Sequence, residues 1–124
     1  MELKQTKYGN TIVVYLNGRF DIHHTNETEK ALNRLLSTEK TSHLIFNLHD
    51  VEYISSAGLR LFISIMNKYN ERRKKFVLCN LNGTVKKILK VVELNTLFLI
   101  FNTENEALEY IAKDDSTPEM QKKM

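Results

Sequence analysis

Four short apolar runs alternate along this chain with segments of helical periodicity, and that order limits its possible folds more than any other feature. Ile12-Val13-Val14-Tyr15-Leu16, Leu44-Ile45-Phe46-Asn47-Leu48, Phe76-Val77-Leu78-Cys79 and Leu97-Phe98-Leu99-Ile100-Phe101 read as strands. The run Leu44–Leu48 is almost wholly apolar, as in an interior strand covered on both faces, and Leu97–Phe101 reads as a second strand of that buried kind. A helix is expected from about Asn26, where Asn26 and Glu29 have capping-box spacing ahead of Ala31, Leu32, Leu35 and Leu36. A second is expected over about Ser56 to Asn70. A third would be capped by Thr84 and carry Val85, Ile88, Leu89 and Val92 at helical spacing. Thr103 and Glu106 form another capping-box pair before Ala107, Leu108 and Ile111. Strands that alternate with helices imply right-handed crossovers and a mostly parallel sheet. Leu3 to Lys7 is a weaker strand, and Tyr8-Gly9-Asn10-Thr11 offers the turn chemistry of a hairpin. The expected fold is one α/β domain over residues 1–113. It has a mixed, mostly parallel sheet, an N-terminal antiparallel hairpin strand and about four α-helices. The polar, aperiodic stretch 114–124 reads as a disordered tail.

Composition removes several function classes. With 42% hydrophobic and 27% charged residues the chain has the balance of a folded soluble domain. Apolar runs such as Leu97 to Phe101 are far short of the roughly 20 residues that cross a bilayer, so no membrane role is expected. The opening Met1-Glu2-Leu3-Lys4 is not of signal-peptide type, and the expected location is the cytoplasm. One cysteine, Cys79, allows no internal disulfide and no multi-cysteine metal site; it reads as a small core residue. No cofactor and no metal are expected. The excess of positive charge falls in Arg72-Arg73-Lys74-Lys75 and Lys86-Lys87-Lys90, without interleaved aromatic residues for stacking bases, so direct nucleic-acid binding is not expected.

The chemistry concentrates in Asp50-Val51-Glu52-Tyr53-Ile54-Ser55-Ser56-Ala57-Gly58-Leu59-Arg60, between a buried strand and the start of a helix. In open α/β sheets this is where ligands and reactive groups gather. Two adjacent hydroxyls are followed by two residues with almost no side chain, which leaves backbone N–H groups of the first helical turn uncovered and favours an anion there. One serine suffices as an N-cap. Gly58 adds nothing to a cap and weakens a helix interior by about 1 kcal/mol relative to Ala; close approach of another protein's backbone would explain it. From the residues alone, a plain cap and a functional anion site are equally good readings.

Asp50 to Leu59 resembles the signature of the STAS domain as found in bacterial anti-sigma factor antagonists, in which an Asp-Ser-Ser/Thr-Gly-Leu stretch opens a helix and its first serine is phosphorylated. Leu16-Asn17-Gly18-Arg19-Phe20-Asp21 and Asn82-Gly83-Thr84-Val85-Lys86-Lys87-Ile88-Leu89 are similar to two further segments of that family, and the resemblance covers about residues 3–112. Aligned on Gly58-Leu59, it implies that Ser56 is the phosphorylated residue. Ser55 is the second choice, because it stands where many members have Asp. The resemblance also implies partner switching. The unphosphorylated chain binds an anti-sigma factor, often a serine kinase, and so frees a sigma factor; phosphorylation reverses this and a serine phosphatase removes the mark. The partner surface implied is Asp21, Ser55, Ser56, Ala57, Gly58 and Leu59. Asp21 is equally readable as a loop-capping carboxylate.

Along the helix after Ser56, Leu59, Phe62, Ile63, Met66 and Tyr69 make a core stripe. Leu61 and Ile65 widen it to about 200° at 100° per residue, so these two either belong to an unusually covered helix or touch the partner. Two rival readings remain. A hydrolase would need Ser56 as nucleophile, a histidine as base and Asp21 or Asp50 as orienter, but the Gly-x-Ser-x-Gly elbow is missing and His49, near in sequence, falls on the preceding strand end. His23, His24 and His43 lack the company of a metal site. The alternative is a STAS-type module that responds to a nucleotide or other ligand, although no Gly-rich phosphate loop is present.

Overall fold

The computed structural model describes residues 3–39 and 42–116, with side chains described as far as 113. Nine elements follow in order: β1 (Lys4–Tyr8), β2 (Thr11–Phe20), α1 (Ile22–Leu36), β3 (His43–Ile54), α2 (Ser56–Glu71), β4 (Phe76–Cys79), α3 (Gly83–Val91), β5 (Leu99–Phe101) and α4 (Glu104–Ser116). The five strands form one sheet in the order β1-β2-β3-β4-β5. β1 pairs antiparallel with β2, and every later pair is parallel.

The apolar strand runs follow from two-sided burial. Ile12, Val14, Leu16, Leu44, Phe46 and Leu48 join the main core with residues of α1, α2 and α3. The alternate residues Val13, Ile45, Val77 and Cys79 pack with Ala107 and Ile111 of α4 on the other face. Period-two alternation therefore aims successive side chains at two different cores, which requires both sets to be apolar. The Glu104 carboxylate ties α4 to the sheet: it accepts from Tyr15 Oη at 3.0 Å, Asn47 Nδ2 at 3.0 Å and Tyr8 Oη at 3.3 Å.

Several boundaries differ from the sequence expectation, each for a local reason. β2 does not stop at Leu16, the end of its apolar run. It passes through two register shifts, with Gly18 at φ +88°, and stays paired with β3 as far as Phe20–Ile54. α1 starts at Ile22 rather than near Asn26, because Asp21 is its cap. α3 starts at Gly83, capped by Asn82 and not by Thr84. β5 is shorter than expected and is not a buried strand: at the sheet edge, Leu97 and Leu99 are 46% and 43% exposed. The helix of α4 continues to Ser116, three residues beyond the expected boundary, and residues 117–124 of the expected tail lie outside the described residues.

Leu61 and Ile65 belong to the core and not to a partner surface: they are 7% and 5% exposed. α2 is covered on two sides, by the sheet and by α1. Its buried arc runs from Leu61 through Phe62 to Leu59, and Ile63 and Met66 are left only half-buried. Leu61→Asp should accordingly destabilise the fold by about 3 kcal/mol or more, as expected for an unpaired buried charge. Chemical denaturation would show this as a lowered midpoint.

Burial pushes the Tyr69 phenol and the Cys79 thiol up to about 12, from ordinary values of 10.0 and 9.0. Between those limits the unfolded chain has released protons that the folded chain retains, so stability falls as pH rises from about 9 to 12. The Tyr69 hydroxyl is buried and has no hydrogen-bond partner among the described residues. Tyr69→Phe should therefore leave stability unchanged or raised at neutral pH and flatten its decline above pH 10, as read from urea midpoints across that range.

Candidate functional site

Parallel pairing of β2 with β3 sets the site. The strands end in register at Phe20 and Ile54. Each is followed at once by a capping residue, Asp21 for α1 and Ser55 for α2, so two helix N-termini start side by side at the C-terminal edge of the sheet. The Ser55 N–H donates to the Phe20 carbonyl at 2.9 Å and locks the two caps together. The Asp21 carboxylate accepts from the His24 N–H at 2.8 Å, while its side chain stays exposed. Asp21 is thus a capping carboxylate that still faces solvent beside Ser55.

The two serines have different environments. Ser55 is half-buried; its Oγ accepts from the Gly58 N–H at 3.3 Å and its carbonyl from the Leu59 N–H at 2.9 Å. Ser56, the first residue of α2, is exposed, and its hydroxyl makes no hydrogen bond among the described residues. The capping function is therefore already supplied by Ser55, and Ser56 presents an unengaged hydroxyl at the positive end of a 16-residue helix.

The close approach expected at Gly58 is made within the chain. Gly58 is buried, and a Cβ there would lie 2.8 Å from Ile54 Cγ2, 3.2 Å from Phe20 Cβ and 3.5 Å from Thr25 Oγ1. The glycine thus lets α2 sit tightly against α1 and the strand ends, which corrects its reading as a point of contact for another protein's backbone. Ala57 is half-buried. Leu59 is only 8% exposed, but its remaining surface opens into a groove.

That groove, of about 340 Å³, was not legible from the sequence. Tyr53, Ile54, Leu59, Ile88, Val91 and Val92 line it, with Ser56 and Lys87 as its polar members. Asn82 holds α3 in place as the far wall: its Oδ1 accepts from the Val85 N–H at 2.9 Å, and its Nδ2 donates to the Val51 carbonyl at 2.6 Å. Arg19 stacks 4.7 Å above the Tyr53 ring. Val91 is 81% exposed, an apolar side chain left standing at the end of a helix. The basic run Arg72–Lys75 lies beyond the opposite end of α2, about 24 Å away at 1.5 Å per residue, and takes no part here.

No hydrogen bond among the described residues joins Ser56 to His49, whose Nδ1 instead lies 2.9 Å from Asp50 Oδ1. Among the described residues there is no cluster of three or more potential metal ligands, and no helix is long and apolar enough to cross a membrane.

The family model of the STAS domain matches residues 2–107. The chain belongs to the STAS domain family. Its relatives include an anti-sigma F factor antagonist of Paenibacillus polymyxa, 18% identical over 108 residues that span 87% of this chain and 92% of the relative. Among solved structures, a putative anti-sigma factor antagonist of Thermotoga maritima superposes with a TM-score of 0.82 at 20% identity, covering 89% of this chain and 94% of the other. The Bacillus antagonist SpoIIAA has the same fold in two states. Its unphosphorylated form gives a TM-score of 0.73 at 20% identity, with 90% of this chain and 96% of that one covered. Its phosphorylated form gives 0.65 at 19%, with 88% and 98% covered. These likenesses establish the STAS α/β fold, with its antiparallel opening pair and parallel remainder.

The different environments of the two serines can be tested directly. Ser55→Ala should cost about 1 kcal/mol of stability through loss of the cap, whereas Ser56→Ala, at an exposed position, should stay within about 0.5 kcal/mol of the parent. Thermal melting of the two variants would check this.

Proposed function

We propose that this STAS domain is an anti-sigma factor antagonist that acts in the cytoplasm by partner switching, with Ser56 as the switch residue. Unmodified, it binds an anti-sigma factor and releases a sigma factor. When that anti-sigma factor is a serine kinase it uses its own ATP to phosphorylate Ser56, the complex dissociates, and a serine phosphatase restores the first state. On this reading Ser56 is a substrate and performs no catalysis. The partner surface comprises exposed Asp21 and Ser56, with half-buried Ser55 and Ala57 and the edge of Leu59 around them; Gly58 supports it from beneath.

The observation that carries the reading is the contrast between adjacent hydroxyls: one engaged as a cap, the other exposed and unbonded at the start of α2. A phosphate on Ser56 would bring about −1.5 to −2 charges at pH 7. Within the chain itself that charge is tolerated, because the helix dipole and nearby N–H groups stabilise an anion by about 0.3–2 kcal/mol. Under a docked protein the same dianion must be desolvated, at a cost of several kcal/mol if unpaired. A hundredfold loss of affinity needs only about 2.7 kcal/mol. One modification can therefore dissociate the complex without unfolding the chain.

Co-purification from the native cell, with mass spectrometry of the partner and of the peptide containing Ser55 and Ser56, tests the proposal. An anti-sigma factor should accompany only the unmodified chain. Ser56→Ala should retain it after incubation with ATP, and Ser56→Asp should weaken it about a hundredfold. Equal recovery of both forms, or phosphate found on Ser55 alone, would overturn the assignment.

A further inference from the structure

The groove between the start of α2 and α3 has an apolar floor, and Lys87 is the one charged residue that lines it; Lys90, one turn on, stands beside Lys87 at its rim. Ile54, Leu59 and Ile88 form part of its interior, while Val91 and Val92 are 81% and 45% exposed at its α3 end. Exposed β-branched side chains grouped around a concavity mark an interaction surface more often than singly scattered ones do. α3 carries Lys86, Lys87 and Lys90, all exposed, and no acidic residue. None of the three ammonium groups forms an ion pair among the described residues. Lys87 lines the groove itself.

We propose that this groove is the docking site for an acidic amphipathic helix of the partner protein, its apolar side chains seated between α2 and α3 and its carboxylates facing Lys87 and the neighbouring lysines. Charge decides the occupant. A second copy of this chain docked through the same face would set Lys87 and Lys90 against their own counterparts, and like charges brought together across an interface are repelled. A helix with leucine-type residues on one face and Glu or Asp beside them meets both features of the site, in the helix-in-groove mode. The lysines also steer such a segment towards the groove before contact and favour it over a basic one. This deepens the partner-switching proposal and rests on it for the consequence of modification: because Ser56 lines the same groove, a phosphate there would add negative charge directly beside an acidic ligand.

The test uses the full chain labelled with nitrogen-15 and two synthetic 18-residue amphipathic helices that share a leucine face, one with glutamate and one with lysine on the polar side. The glutamate peptide should shift amides of residues 53–59 and of α3 and bind about fivefold more tightly than the lysine peptide, since Lys87 and its neighbour Lys90 each contribute a few-fold. Lys87→Glu should narrow or reverse that preference, and Val91→Asp, at a position too exposed to endanger folding, should abolish detectable binding. Binding of neither peptide, equal binding of both, or shifts confined to other surfaces would overturn the proposal. So would self-association mapped to α3, or shifts in α3 caused by phosphatidylglycerol vesicles but by neither peptide. Incorporating phosphoserine at position 56 separates the two proposals: a glutamate peptide that binds the groove equally well with and without phosphate leaves the docking site standing and removes the switch.

Discussion

The backbone bond from Ser55 to Phe20 is the constraint on which the geometry of the site depends. It closes the last step of a parallel ladder between β2 and β3, and it does so where both strands give way to helices. Because the two caps are one residue past paired positions, Asp21 and Ser55 are neighbours by construction. Gly58 then lets α2 approach the strand ends: an added Cβ would lie 2.8 Å from Ile54 Cγ2 and 3.2 Å from Phe20 Cβ, closer than a side chain tolerates without a shift. In the turn that begins α2, Gly58 and Leu59 are buried and Ser55 and Ala57 half-buried, while Ser56 is left exposed.

A second constraint comes from Asn82, which uses both ends of its amide. One end starts α3 and the other fastens that start to β3. The start of α3 is thereby fastened to the sheet as well as packed into the core it shares with α2. The space between them remains a groove, and part of the apolar surface of α3 is left over.

The sequence was most legible where the signal was local and strong. The strand–helix alternation, the hairpin, the Thr103–Glu106 capping box and the start of α2 can all be read from side-chain chemistry and periodicity, and all appear in the fold. What could not be read depends on long-range packing. Nothing in the run Ile12–Leu16 indicates that two bulges would carry β2 on to Phe20. Asn26 and Thr84 are good caps by type but sit inside helices already started by Asp21 and Asn82. Leu61 and Ile65 widened an apolar stripe in a way that fitted either a second intrachain neighbour or a partner, and only the placement of α1 separates the two. The signal for Gly58 was genuine, since something does approach closely, but the sequence could not say that the approach is internal. The groove depends on where α3 lies, so Tyr53, Lys87, Ile88, Val91 and Val92 gave no sign of acting together.

Cys79 is fully buried between α4 and the sheet, with a thiol that stays protonated across ordinary working conditions. A sulfur in that state neither oxidises nor alkylates readily. In practical terms, Cys79 is shielded from oxidants for as long as the chain stays folded. A spectroscopic label can also be attached through a new cysteine on its surface without first replacing the native one.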